Sequence, residues 1–323
     1  MSNSNTTINT ASTTFLNKEY YDRKLLETAK TRLVHAQYGQ KRSIPPHSGK
    51  RVEFRRYELF TPDADRLTLT EGVTPDGQSL EQSRVEAEVK QYGAYIEVSD
   101  LLDMTGFDTV INDGAELLGE QLGTVIEWVT RDAMCAGTNV QYAGGKTARN
   151  ALLATDKLTT VEIRKAVRTL KKKKAKMFNT NDDGKLRRPH YVCICSPDAT
   201  FDLQDDEAWE KVSDYNNAEA IYSGEIGRLF GVVFVESTEA KVYAGEGSGS
   251  ADVHATLVFG QNAYGCVDID GGGNVEMIVY GLGSAGSADP LNQRATVGAK
   301  INAYAATILN GDWLLRIEHG VSA

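Results

Sequence analysis

The chain has 323 residues, 41% hydrophobic, 24% charged and 8% aromatic, which excludes the fibrous, low-complexity and disordered classes and suffices for a large core without staples. Its 35 Lys and Arg against 44 Asp and Glu give a net charge of −9, arguing against a dedicated binder of nucleic acid or of an anionic membrane. Four cysteines, Cys135, Cys193, Cys195 and Cys266, are too few for a disulfide framework, and the sequence shows neither a basic-then-apolar leader nor an 18-residue apolar run, so a soluble, cytoplasmically made protein with free thiols is expected.

Residues 1–17 are uncharged and mostly Ser, Thr and Asn, the composition of a flexible tail. From Lys18 to Arg56, 11 basic residues stand against 4 acidic ones, a net of +7, leaving 24 against 40, a net of −16, elsewhere. Such a two-sided chain has either a basic arm for nucleic acid or an arm that lies on the acidic body of another copy. Tyr21, Leu25, Leu26, Ala29, Leu33 and Val34 recur at helical spacing, predicting an amphipathic helix over roughly 18–38 with Gly39 as its stop.

After Pro45, Pro46 and Gly49 the pattern becomes alternating: Val52 and Phe54, then Tyr57 and Leu59, with a phase slip at Arg55 and Arg56. A second run, Val85, Ala87 and Val89, slips at Gln91 and continues as Tyr92, Ala94, Ile96 and Val98. Two bent, partnered strands are predicted, joined through Leu67-Thr-Leu-Thr70 and the turn Thr74-Pro-Asp-Gly77. Residues 51–98 thus read as one long β-ribbon. A ten-residue strand reaches about 33 Å, and a ribbon of that reach is marginal alone, so its expected support is a neighbouring subunit.

Ile111, Ala115, Leu118, Leu122, Val125, Val129 and Ala133 predict a helix over about 108–134, roughly 40 Å long. Thr159-Thr-Val-Glu162 has the form of a capping box opening a second helix with Ile163, Val167, Leu170 and Met177 on one face and a basic opposite face. Tyr191-Val-Cys-Ile-Cys195 reads as a buried strand, with Ser196-Pro197 starting a helix. Val232–Val235 and Thr256–Gly260 follow as strands around a flexible Gly245–Ser250 loop. In the tail Ala295, Val297, Ala299, Ile301, Ala303 and Ala305 share one parity, and Trp313, Leu315 and Ile317 another. Helices and strands mixed in this irregular order favour an α+β fold.

No motif for catalysis survives its context. Gly281-Leu-Gly-Ser-Ala-Gly286 has dinucleotide-site spacing but leads towards a strand rather than a helix, and Ala306 and Thr307 stand where the ribose-binding acid belongs. Asn179–Gly184 and Asp268–Gly273 resemble the start of calcium loops, yet His190 and Val279 occupy the closing-carboxylate positions. Cys193 and Cys195 suit core packing, and His35, His47, His190, His254 and His319 carry no local hydrolase signature. The run Lys171–Lys174 with Lys176 suits a solvated helix end. No catalytic, metal or cofactor-binding residue is assigned, and no cofactor is expected.

Several stretches together resemble one family, the major capsid proteins of tailed bacteriophages, specifically the podovirus N-four type. They are Arg32–Gly39, Gly49–Arg56, Leu69–Gly77, Val89–Tyr95 with Ser99–Leu102, Gly224–Gly231, and Gly283–Gln293 with Val297-Gly298. The resemblance implies the α+β Johnson capsid fold: an N-terminal arm (1–50), an extended β-hairpin loop (51–98), a peripheral domain with a spine helix (99–150), an axial domain (151–270) and peripheral return strands (271–323). It further implies a non-enzymatic virion protein, assembled in the bacterial host cytoplasm, whose hexamers and pentamers close into an icosahedral head around double-stranded DNA bound without sequence specificity. Separate portal, decoration and scaffolding proteins are possible partners, the last because the chain leaves no room for a long cleaved scaffolding segment. Arg51, Arg55, Arg56, Leu69, Glu71, Pro75, Asp76, Lys90 and Tyr92 are the expected intersubunit contacts. The alternatives are an encapsulin-type nanocompartment shell and an oligomeric enzyme of unrecognised type.

Overall fold

The computed structural model describes residues 33–44, 49–57, 60, 62–69, 71–74, 77–101, 110–178, 181–182, 185–186, 189–206, 209, 225–269, 275–285 and 289–322. The first half forms β1 (Gln40–Ile44), β2 (Arg51–Tyr57), a short α1 (Ala64–Leu67), β3 (Gln82–Glu88), β4 (Lys90–Ser99), α2 (Val110–Cys135), β5 (Val140–Tyr142) and α3 (Thr160–Lys172). There follow β6 (Asn181–Asp182), β7 (Lys185–Leu186), β8 (Tyr191–Cys195), α4 (Pro197–Gln204), β9 (Glu225–Leu229), β10 (Val232–Glu236), β11 (Val242–Tyr243), β12 (Val253–Phe259), β13 (Tyr264–Ile269), β14 (Val275–Tyr280), β15 (Arg294–Ile308) and β16 (Leu314–His319).

Two sheets and one long helix organise these elements. A five-stranded sheet runs β1-β13-β15-β14 with β4 on β15, and a seven-stranded sheet runs β5-β16-β12-β8-β10-β9 with β11 on β12. The strict alternation of β15 buries Ala295, Val297, Ala299 and Ile301, the last three sharing a core with Ala115, Leu118 and Leu122 of α2 and with Val192, Ile194 and Leu257 of the larger sheet. The opposite face of that sheet, with Cys193, Cys195, Phe234 and Val258, is covered by Ile163 and Leu170 of α3 and by Ala199 and Leu203 of α4. A sheet covered on both faces requires continuous apolar strands, which is why β8 and β16 do not alternate. The shared parity of Trp313, Leu315 and Ile317 holds, since Leu315 and Ile317 enter the α3-side core with Trp313 packed against it, but burial does not alternate: all six residues of β16 are buried, between β5 and β12.

The ribbon is shorter than expected. β2 pairs with β3 in unbroken antiparallel register from Arg51 opposite Glu88 to Tyr57 opposite Gln82, so no bend falls at Arg55 and Arg56. The slip near Gln91 is a change of sheet: β3 ends at Glu88, and β4 pairs with β15, Ile96 opposite Val297. Changing parity turns Tyr92, Ala94 and Ile96 onto the main core. Residues 90–98 thus belong to the body.

The described end of the predicted first helix, residues 34–38, forms turns and bends rather than helix, and β1 follows it. Residues 1–32, which hold the rest of that helix and the expected tail, lie outside the described residues. Gly39 serves close approach instead of stopping a helix, since a Cβ there would lie 2.7 Å from Cys266 Sγ and 2.8 Å from a Tyr264 ring carbon. At α3 the capping box does not form: Thr159 makes no side-chain cap, and Glu162 instead accepts from Gln141 Nε2 and pairs with Lys165, both at 2.7 Å. Ser196 does cap α4, accepting from the Ala199 N–H at 3.3 Å. The Gly245–Ser250 loop is held down, with Ser248 N–H donating to Leu152 O at 2.7 Å and Gly245 N–H to Asp252 Oδ1 at 2.8 Å. Beyond β14 the glycine-rich stretch turns at Gly283, φ +82°, and the next described element is β15. All four cysteines are free and buried.

Candidate intersubunit surfaces

The β2–β3 ribbon has two unlike ends. At its base Phe54 and Ala87 are buried with Ile44, Val267 and Ala305, half-covered Val52 and Val85 packing around them. The Arg42 guanidinium lies 5.1 Å from the Phe54 ring centroid and donates to Glu53 O at 3.2 Å. The outer surface is a charge ladder in which Arg51 faces Glu86 at 3.5 Å and Glu53 meets Arg55 at 3.1 Å and Arg84 at 3.2 Å. Exposed pairs of this kind contribute only about 0–1 kcal/mol, so the ladder sets register and charge more than stability.

Towards the tip the chemistry reverses. Tyr57, Phe60, Leu67, Leu69, Val73 and Leu80 are all exposed, Leu69 by 72% and Leu80 by 67%. Single exposed apolar residues are ordinary, but six within one short span form a surface that needs covering.

Of the residues expected at contacts, Arg51 and Arg55 are exposed in the ladder, Leu69 and Glu71 are exposed in the span between β2 and β3, and Lys90 is exposed at the start of β4. Arg56 is half-covered, in a groove with Asn139, Lys173 and Asp312. Pro75 and Asp76 lie outside the described residues. Tyr92 packs against the main core, so the aromatic that β4 exposes is Tyr95, at 69%. Tyr57, Phe60 and Tyr95 escaped the sequence reading, although the opposite parity of Tyr95 from Ile96 marked it as outward-facing.

The segment leading into β1 is clasped by α2. Glu127 is fully buried; its carboxylate accepts the backbone N–H groups of Val34 at 3.2 Å and His35 at 3.0 Å and lies 2.5 Å from His35 Nδ1. The Tyr264 hydroxyl donates to His35 O, and β1 then runs parallel to β13 from Gln40 opposite Gly265 to Ile44 opposite Ile269. Val34 and His35 are therefore tethered to the long helix at a fixed point. Glu127 had no sequence signal, because a lone acid on an apolar helix reads as solvent-facing.

Charge is also buried on the seven-stranded sheet. Arg149 grips the fully buried Glu318 with two hydrogen bonds, 2.8 and 2.7 Å, and reaches Glu246 at 2.5 Å, while Arg316 pairs with Glu318 at 2.8 Å. The Glu318 hydrogen bond raises the Arg149 pKa despite partial burial, as a bidentate pair should. Asp202 accepts the Ser322 N–H at 2.9 Å and pairs with Lys157 at 3.1 Å, tying down the end of the chain.

Beside this network His254 of β12 faces His319 of β16. His319 is fully buried, its Nδ1 2.8 Å from Gly320 O and its Nε2 2.9 Å from Thr256 Oγ1. Burial lowers its pKa to about 4 and also lowers that of His254, which Asp198 partly opposes. With the folded value below the unfolded value of about 6.5, the unfolded chain takes up the proton first. Stability is complete above pH 6.5 and falls as pH drops towards 4, by roughly 3 kcal/mol for His319. Urea unfolding of the wild type and of His319→Gln between pH 7 and 4 checks this: the wild-type slope should exceed that of the variant, and equal slopes would contradict the assignment.

Among the described residues no group of three His, Cys, Asp or Glu could hold a metal, and no helix is long and apolar enough to cross a membrane. The larger described groove, beside α3, is lined by arginines, lysines, Val167 and Phe230.

This α+β architecture is that of phage capsid shells. The structure is similar to the capsid of Ralstonia phage GP4, with 16% identity, 88% of each chain covered and a TM-score of 0.69. It is similar also to the capsid asymmetric unit of cyanophage Pam1, with 14% identity, 86% of this chain and 87% of that chain covered and a TM-score of 0.64. A virus-like particle from Pyrococcus furiosus is matched at 12% identity over 93% of this chain and 99% of that one, with a TM-score of 0.50. No curated protein matches the chain. Residues 129–272 match the family described as Phage capsid protein. The chain thus has the Johnson fold of phage capsids.

Proposed function

We propose that this chain assembles as hexamers and pentamers into an icosahedral head that encloses double-stranded DNA without sequence-specific contacts. The observation that carries the proposal is the β2–β3 ribbon, anchored at its base and apolar and uncovered towards its tip, on a chain with the fold of phage capsids. In this reading residues 1–50 are the arm and the ribbon is the extended loop, with residues 90–98 returned to the body. The peripheral domain comprises 99–150, built on α2, and the strands of 271–323; the axial domain comprises 151–270. The role is structural and non-enzymatic, the subgroup is the N-four type, and assembly takes place in the host cytoplasm with separate scaffolding, portal and decoration proteins.

The mechanism is geometric. Each ribbon lies across a neighbour and each arm, leaving from the Glu127 clasp, lies on the acidic body of another copy, so that many modest contacts sum around a closed symmetric shell. Negative-stain microscopy of purified protein tests this: closed isometric particles are expected, and species of only a few subunits under all solution conditions would refute it. Because the arm and body carry opposite charge, particle yield should fall as salt rises.

A further inference from the structure

The outward face of α3 is unusual for an acidic protein. Arg164, Arg168, Lys171 and Lys172 are all exposed and line a groove of about 570 Å³ with Val167 and Phe230, and the Arg164 guanidinium sits 5.4 Å from the Phe230 ring centroid. No carboxylate among the described residues pairs with these four cations. Two acids close to α3 in the chain or the fold are engaged by other lysines, Glu162 by Lys165 at 2.7 Å and Asp312 by Lys173 at 2.6 Å. Like charges one helical turn apart repel, so the face is stabilised only when something anionic covers it, and the half-exposed Phe230 gives that partner an apolar floor to rest on.

The complement stands on α4. Ala199 and Leu203 turn into the core, while the other face presents Asp198, Phe201 and Asp205, all exposed, Phe201 by 70%. Asp205 keeps helical dihedrals at the end of α4, φ −72° and ψ −11°, so the two acids lie two turns and about 10.5 Å apart with the phenyl ring between them. Arg164 and Lys171 are separated by the same seven residues. Among the described residues Asp198 has His254 Nδ1 4.0 Å away, and no ion pair joins Asp198 or Asp205 to α3.

We propose that α4 of one copy seats in the α3 groove of the next, with Phe201 on the floor of Val167 and Phe230 and with Asp198 and Asp205 against the Arg164 and Lys171 ends. Both patches belong to the 151–270 region, and they are different surfaces, so the contact is head-to-tail and repeats around an axis until a ring closes. This inference rests on the ring-and-shell reading above and names the contact that forms the ring.

Charge reversal tests it by light scattering and electron microscopy at low salt. Arg164→Glu with Arg168→Glu, and separately Asp198→Lys with Asp205→Lys, should each leave the far-ultraviolet dichroism and melting of the subunit unchanged but raise the concentration needed for particles at least tenfold; all four together should restore particles. Phe201→Ala, which removes only exposed surface, should also raise it about tenfold. Folded double variants that assemble like the wild type, or a quadruple variant that fails to recover, would overturn the pairing while leaving the shell reading intact. So would normal particles from the arginine variant coupled with lost retention of duplex DNA in a gel shift, which would make the groove a DNA contact. A wild type that forms no particles would overturn the shell reading and this contact together.

Discussion

Deleting residues 67–80 should abolish shells while leaving a folded subunit. The deletion removes Leu67, Leu69, Val73 and Leu80, all exposed, and none of the clusters that hold the core contains any of them. The β2–β3 pairing and its anchor through Phe54 and Ala87 stay, so the melting temperature should move by no more than a few degrees. Assembly is affected differently. Burying a Leu or Val side chain contributes about 1.5–3 kcal/mol, and the loss recurs at every ribbon in a shell held by many modest contacts. Circular dichroism should therefore report a native fold, and micrographs should show no closed particles. Normal heads from this deletion would sink the role given to the ribbon.

The second large effect is at the clasp. Replacing Glu127 with Ala removes the acceptor for two buried backbone N–H groups and the partner of His35 Nδ1. Leaving these buried groups without their acceptor costs roughly 2–5 kcal/mol in all, because each orphaned group keeps a desolvation penalty of about 1–3 kcal/mol. Chemical denaturation of the subunit should show a loss of that size. Limited proteolysis should in addition cut near residues 33–44 faster, as β1 loses the contact that fixes its entry. A variant with wild-type stability and unchanged protection would show that the clasp does not secure the arm.

Much of this architecture could be read from pattern. The 4-3-4 spacing of Ile111, Ala115, Leu118 and Leu122 found α2, the Ser196-Pro197 pair located the β8–α4 junction, and period-two alternation from Ala295 to Ala305 found β15. What escaped depends on partners distant in sequence. β1 buries a single residue, Ile44, and its strand character comes from pairing with β13, which no local pattern records. A parity slip is the same signal whether a strand bulges within its sheet or leaves for another, so the passage from β3 to β4 was read as a bend. At the candidate surface, the charged ladder around Arg51 and Arg55 was legible because alternation isolates it. The exposed tip was legible only as a turn, since nothing in a sequence distinguishes an uncovered Leu69 from a buried one. Tyr92 shares the parity of Ile96 and Val98 and could have been assigned to the core on that ground.

In the proposed shell the ribbon of one subunit is completed by another. A cryo-electron microscopy reconstruction of particles formed by the purified chain tests it most directly. The expected result is a closed shell of hexamers and pentamers in which the segment between Tyr57 and Gln82 lies on a neighbouring subunit with Leu69 and Leu80 covered. A small oligomer, or a shell in which that segment stands free in solvent or folds back on its own subunit, would contradict it.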